Sequence, residues 1–223
     1  MEHSHALLHI EGVPSYVTYS WLAMVILVTV SFIVSRSLTL VPRGLQNFME
    51  ALVEALYNFC KENLGEHTDA AFPLIGTLGL YILTCNMMGL IPGFEAPTGF
   101  INVTASCALP VFFVYHYFGI RINGVHYINQ FLGPIRSIYA LPLMIMMFFI
   151  ELISHLARPL TLSVRLFGNM LSKHIILTVL SMLVPALVPV LFLSLGVLVS
   201  FVQAFVFVLL TTLYIAGAVS EAH

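Results

Sequence analysis

From residue 138 to residue 219 the chain runs through two apolar stretches, 138–180 and 186–219, whose only charged side chains are Glu151, Arg158, Arg165 and Lys173. Helices apolar on every face need apolar surroundings on every face, and 223 residues offer too little else to enclose them in water. A bilayer does. Yet about 43 helical residues at 1.5 Å each reach about 65 Å, against a hydrocarbon core near 30 Å. Ordinary tilts of about 20° do not absorb that excess. The two segments are therefore either broken, with Pro159, Gly168, Pro185 and Pro189 as bend points, or steeply inclined toward the membrane plane. Joined near Pro185, they predict a hairpin that forms a wall able to embrace a curved partner.

Composition extends the conclusion to the whole chain. Hydrophobic residues make up 60% and charged residues 8%, where soluble domains carry about 25% charged, and the mean hydropathy is +1.00. The expectation is an all-α membrane protein of five to six helices forming a single polytopic domain over 1–223, lying in the lipid bilayer. No length remains for a separate soluble domain, so catalytic machinery of any size sits on partner chains. The net charge of -2 says nothing about nucleic acid, and with no basic patch no nucleic-acid partner is expected. Cys60, Cys85 and Cys107 are isolated and odd in number, which supports neither a disulfide framework nor a zinc site. They read as core or lipid-facing residues, and no cofactor or metal is implied. Residues 1–15 carry Glu2 and Glu11 but no Lys or Arg, so they lack the positive region of a signal peptide.

The first span is read at 16–35, closed by Arg36 and Arg43. Over 44–60, Leu45, Phe48, Met49, Leu52, Leu56 and Phe59 repeat at helical spacing while Gln46, Glu50, Glu54 and Asn58 fall mostly elsewhere. That pattern suits an amphipathic helix on the membrane surface and equally a helix packed on neighbouring spans. Further spans are read at 72–92 and 101–120, separated by a loop with Glu95, Pro97 and Gly99, and 121–136 forms a polar loop. Arg36, Arg43 and Lys61 mark one interval as cytoplasmic, and Arg121 and Arg136 mark another. The N-terminus is then outside and the C-terminus cytoplasmic.

An arginine at bilayer depth costs roughly 2.5 to 3.5 kcal/mol on insertion scales and about 10 or more by calculation on an isolated helix. A guanidinium stays charged throughout the physiological range, so Arg165 can act only as a fixed positive charge. Glu151, Arg158 and Arg165 are seven residues apart and drift by only about 20° per step on a helix, so they share one stripe, with His155 and Asn169 close to it. One reading of this stripe is an internal network in which Glu151 and His155 neutralise Arg158. Arg165 is four turns from Glu151, which points to a counter-charge on another chain. On the last segment Gly196, Ser200, Gln203, Phe207 and Tyr214 align, and Gln203 serves either as glue between helices or as part of a pathway.

The run Arg158-Pro159-x-x-Leu-Ser-Val-Arg165-Leu166-Phe167-Gly168-Asn169-Met170, followed by Gln203-Ala-Phe-Val-Phe-Val-Leu-Leu-Thr-Thr-Leu-Tyr214, resembles subunit a of the F-type ATP synthase. The runs Asn86-Met-Met-Gly-Leu-Ile-Pro92 and Ile101-Asn-Val-Thr104 are similar to that family's middle spans. The resemblance implies a non-catalytic stator subunit of a rotary proton motor in a bacterial inner membrane. Its partners would be a ring of c subunits, a b-type peripheral stalk subunit and the rest of the complex. Arg165 matches the family's essential arginine, Asn169 and Gln203 its neighbours, Glu151 a carboxylate of the cytoplasmic half-channel and Asn86 a polar residue of the outer one. Ser154, His155, Arg158 and Tyr214 fall beside these positions, and His174 matches an outer half-channel position. Bacterial relatives often carry Glu where this chain has His174 and His where it has Gly196, and an acidic residue where it has Gly89. Glu95 is then the nearest outer carboxylate.

Such residues support an electrostatic mechanism. A ring carboxylate must be neutral to face lipid and ionised to exchange its proton. Arg165 would favour the ionised form as the carboxylate passes, and its charge would block a direct leak between two offset half-channels. Two other classes compete. A secondary transporter for an anionic substrate would also hold a buried arginine, but it usually shows an internal repeat, and the two halves of this chain show none. An intramembrane hydrolase would need a nucleophile and a base, and adjacent Ser154 and His155 point about 100° apart on a helix.

Overall fold

The computed structural model describes residues 12–36, 38, 39, 44–91, 94–124, 141–183 and 187–220, and every long element among them is a helix. Helix α1 covers Ser15–Arg36 and α2 covers Leu45–Leu64. A 3-10 turn at Gly65–His67 leads into α3, Thr68–Met88, and a second at Pro97–Gly99 precedes α4, Ile101–Asn123. The long helices are α5, Leu141–Leu183, with 43 residues, and α6, Leu187–Ser220, with 34. Five helical stretches are long and apolar enough to cross a membrane, with α2 and α3 counted as one.

Local chemistry sets the boundaries. Gly44 and Gly65 flank α2 with φ of 59° and 57°, a region that side chains disfavour, and the Gly65 N–H closes the helix on the Lys61 carbonyl. Helix α3 begins and ends earlier than the apolar run 72–92, because Leu64–Thr68 already turn helical and Gly89, Leu90 and Ile91 form a turn instead. Helix α4 runs past 120, where Arg121 keeps its guanidinium over the Tyr117 ring, 5.8 Å away, and its stem on the helix. Pro159 lies inside α5 without ending it, so no break of the helix falls there or at Gly168. Pro185 and residues 138–140 lie outside the described residues, as do most of 1–15.

Packing between apolar helices in lipid gains little from the hydrophobic effect and relies on close approach and interhelical hydrogen bonds. Both occur here. A Cβ at Gly79 would come within 2.5 Å of Val208 Cγ2, so α3 and α6 touch where the glycine sits. One buried cluster joins Cys60, Ala71, Ile75, Tyr115, Val208 and Ile215, and a second joins Ile82, Cys107, Val111, Leu162, Leu166 and Phe207. Polar ties cross the same interfaces. Thr104 and Ser163 hydroxyls meet at 3.1 Å between α4 and α5, and Asn123 Nδ2 donates to the Ala218 carbonyl of α6 at 2.9 Å. The opposite side of α5 is bare. Phe149, Ile153, Leu156, Leu160 and Val164 are exposed there.

Candidate functional site

Helix α5 carries its polar stripe along the boundary between its packed side and its bare side. Leu162 and Leu166 point into the core, and Arg165, between them in sequence, is exposed. Among the described residues Arg165 has no hydrogen bond, ion pair or aromatic neighbour. A guanidinium offers five donors in a planar fork, and this one presents them on the outside of α5. One turn on, exposed Asn169 donates from Nδ2 to Oε1 of buried Gln203 at 2.5 Å. That bond ties α5 to α6 directly beside Arg165.

Toward the start of α5 a second cluster forms. His155 is buried, and its Nε2 lies 3.2 Å from Oε1 of half-exposed Glu151. Its Nδ1 lies 2.9 Å from the Tyr115 hydroxyl of α4. Arg158 makes no ion pair among the described residues. Its guanidinium carbon instead lies 5.6 Å from the centre of the Tyr115 ring and 5.4 Å from that of Tyr214, held by two aromatic faces. The network in which Glu151 neutralises Arg158 is therefore not the arrangement present, since Glu151 pairs with His155. Ser154 is half-buried, and the His155 ring meets Tyr115, His116 and Glu151.

Beyond Arg165 in the other direction, Lys173 and His174 line a cavity of about 20 Å³, enough for about one water, with Gly89, Ala96, Met170 and Phe192. Lys173 Nζ donates to Ser200 Oγ at 3.2 Å, and Ser200 is within 3.4 Å of the Asn86 carbonyl oxygen. Asn86 is fully buried. Its Oδ1 accepts from Thr98 at 2.7 Å, while its Nδ2 has no partner among the described residues. Glu95 is held by Ser15 of α1, whose hydroxyl donates to its carboxylate at 2.5 Å. Space explains the two glycines. A Cβ at Gly89 would be 2.4 Å from Ala96 Cβ, and one at Gly196 would be 2.7 Å from Leu90 Cδ2 and 3.4 Å from Lys173 Cδ. Among the described residues no group of three or more His, Cys, Asp or Glu side chains is placed to hold a metal ion.

The structure thus gathers the residues singled out from sequence into three places along α5. Glu151, Ser154, His155, Arg158 and Tyr214 lie at one, Arg165, Asn169 and Gln203 at the next, and Asn86 and His174 at the third, with Glu95 tied to α1. The family model of the ATP synthase A chain matches residues 17–216. The chain belongs to that family. ATP synthase subunit a of Trichlorobacter lovleyi is 48% identical over 218 residues, covering 97% of this chain and 93% of the relative. ATP synthase subunit a 1 of Pelobacter propionicus is 50% identical over 207 residues, covering 93% and 88%. ATP synthase subunit a of Geobacter sulfurreducens is 48% identical over 217 residues, covering 97% and 93%. Family membership and the spanning helices make this a multi-pass membrane protein. Sequence reasoning did not find Tyr115, His116 or Thr98 of the site. A tyrosine and a histidine side by side in an apolar span were the available signal for the first two.

Proposed function

We propose that this chain is the proton-translocating stator subunit of an F-type ATP synthase, in which Arg165 is the fixed charge separating two offset half-channels. The observation that carries the reading is Arg165 itself, exposed and without a partner among the described residues at the boundary between the packed and bare sides of a 43-residue helix. A charge so placed is expensive in lipid and cheap beside a carboxylate. The fitting counter-charge is a ring carboxylate of a c subunit passing along the α5 surface. An unbroken α5 is longer than the hydrocarbon is thick, so we take the α5–α6 hairpin to lie steeply inclined against the ring. Glu151, Ser154, His155 and Tyr214 then line the cytoplasmic half-channel, and Asn86 and His174 the outer one, in a bacterial inner membrane with the N-terminus outside and the C-terminus cytoplasmic. Bond chemistry stays on other subunits, and a b-type stalk subunit holds this one against the rotating ring.

The deciding experiment is Arg165→Ala in the complete complex. ATP-driven acidification of inner-membrane vesicles is expected to vanish while the subunit still copurifies with the c-ring, because the change removes a charge and little packing. Vesicles that acidify at the wild-type rate would sink the proposal.

A further inference from the structure

Three residues of α4 and α5 form one chain: the Tyr115 hydroxyl, 2.9 Å from Nδ1 of His155, and Nε2 of the same ring, 3.2 Å from Oε1 of Glu151. Tyr115 and His155 are buried and Glu151 is half-exposed, so the chain leads from the protein interior to the surface of α5. The direction of its hydrogen bonds follows from Glu151. An ionised carboxylate only accepts, so the ring atom facing it must carry the proton, and Nε2 is that atom. Nδ1 of a neutral ring is then the acceptor, and the hydroxyl donates to it.

The alternative is worse. The hydroxyl also has the His155 carbonyl oxygen within reach at 3.4 Å. If it donated there, Nδ1 would hold the ring proton and lone pairs on Nε2 and Oε1 would face one another at 3.2 Å. Two further features fix the hydroxyl. The Tyr115 ring packs against both His116 and His155, with ring centres 4.2 Å and 5.7 Å away, the second nearly parallel at 17°. Arg158 lies over its ring face. His116 is itself oriented, because its Nδ1 lies 2.9 Å from the Phe112 carbonyl oxygen, which can only accept.

We infer that Tyr115 is a positioning residue for proton passage: its hydroxyl donates to Nδ1 of His155 and so keeps the protonated Nε2 turned toward Glu151. The inference rests on Glu151 lining the cytoplasmic half-channel. In that setting Nε2–H donates to the Glu151 carboxylate and fixes its position, while Glu151 itself takes a proton from water and returns it to water, the ring proton staying on Nε2. A ring free to settle in the other tautomer would present a lone pair to an ionised Glu151 and leave the carboxylate without its donor.

The test is passive proton conductance through the membrane sector of the assembled complex, stripped of its catalytic head, in vesicles and scaled to c-ring content. Tyr115→Phe keeps the ring and its packing and removes only the hydroxyl. Conductance is expected to fall about two- to tenfold, the range one hydrogen bond accounts for. In a His155→Gln background the same change is expected to have no further effect, because the group it positions is gone. With histidine labelled by nitrogen-15, the wild type is expected to show His155 protonated at Nε2, and Tyr115→Phe a mixture of tautomers. Unchanged conductance with an unchanged tautomer, or an equal fall in both backgrounds, overturns the inference. Arg165→Ala separates this from the larger reading: if that variant stops pumping while Tyr115→Phe conducts normally, the subunit assignment stands and the role of Tyr115 falls.

Discussion

The carboxamide of Asn169 donates to Oε1 of Gln203 at 2.5 Å, so the two long helices are tied together one turn beyond Arg165. Interhelical bonds of this kind contribute about 0.6 kcal/mol on average in membranes and reach about 1.7. Gln203→Leu is therefore expected to leave the complex assembled and to slow ATP-driven pumping about threefold, what about 0.6 kcal/mol amounts to. Asn169→Leu should lose a similar amount, and the double variant no more than either single change, since both remove one bond. Pumping measured by dye quenching in vesicles checks this. Losses that multiply would mean that the two amides act separately.

Arg165 is exposed and unpartnered among the described residues, so what matters is what it offers to another chain. A guanidinium presents a planar fork to a carboxylate, and a lysine presents a compact point charge that gives up its proton more readily when desolvated. Arg165→Lys should pump at least about tenfold more slowly than wild type, as loss of one charge-assisted bond of ~1.5 kcal/mol implies. Rates near wild type with full assembly would show that charge alone suffices.

The long helices and Arg165 were legible because a charge within an apolar run needs no knowledge of neighbours to stand out. The stripe of Glu151, Arg158 and Arg165 followed from helical periodicity, and α5 keeps it unbroken past Pro159. Partners across interfaces were not legible. Glu151 and Arg158 are seven residues apart and invite pairing, yet Glu151 meets His155 four residues on, and Arg158 meets two tyrosine rings because α4 and α6 bring Tyr115 and Tyr214 against it. Which face of α4 meets α5 depends on side-chain shape, including the Thr104–Ser163 contact, and no local pattern encodes it. Lys173 stood out as a charge, but Ser200 as its acceptor depends on how α5 and α6 slide past each other.

Glu151 is half-exposed at the bare side of α5, which makes it reachable by water if the site is a passage. Glu151→Gln keeps size and hydrogen bonding and removes the titratable group, so it should slow proton movement without loosening the complex. Glu151→Cys should react with a membrane-impermeant thiol reagent from the cytoplasmic side only. Labelling from the outer side alone, or none in the assembled complex, removes Glu151 from the path.

Gly89 and Gly196 are close-packed for different reasons, and the difference is measurable. At Gly196 the atom in the way is the tip of Leu90, 2.7 Å from where a Cβ would stand, and a leucine tip can swing aside. At Gly89 it is Ala96 Cβ at 2.4 Å, which moves only with its backbone, with Met170 Cε at 3.1 Å behind it. The φ of Gly89 is −68°, so backbone strain is not at issue and the obstruction is purely one of space. Gly89→Ala should therefore destabilise the subunit by about 1–3 kcal/mol, the usual range for overpacking, and Gly196→Ala by clearly less. The assay is thermal release of this subunit from the detergent-solubilised complex. Ala96→Gly should restore most of the stability lost in Gly89→Ala, because it deletes the obstructing atom, and should do nothing for Gly196→Ala. If Gly196→Ala proves the more damaging change, or if Ala96→Gly fails to rescue Gly89→Ala, the contact between Gly89 and Ala96 is not the one described.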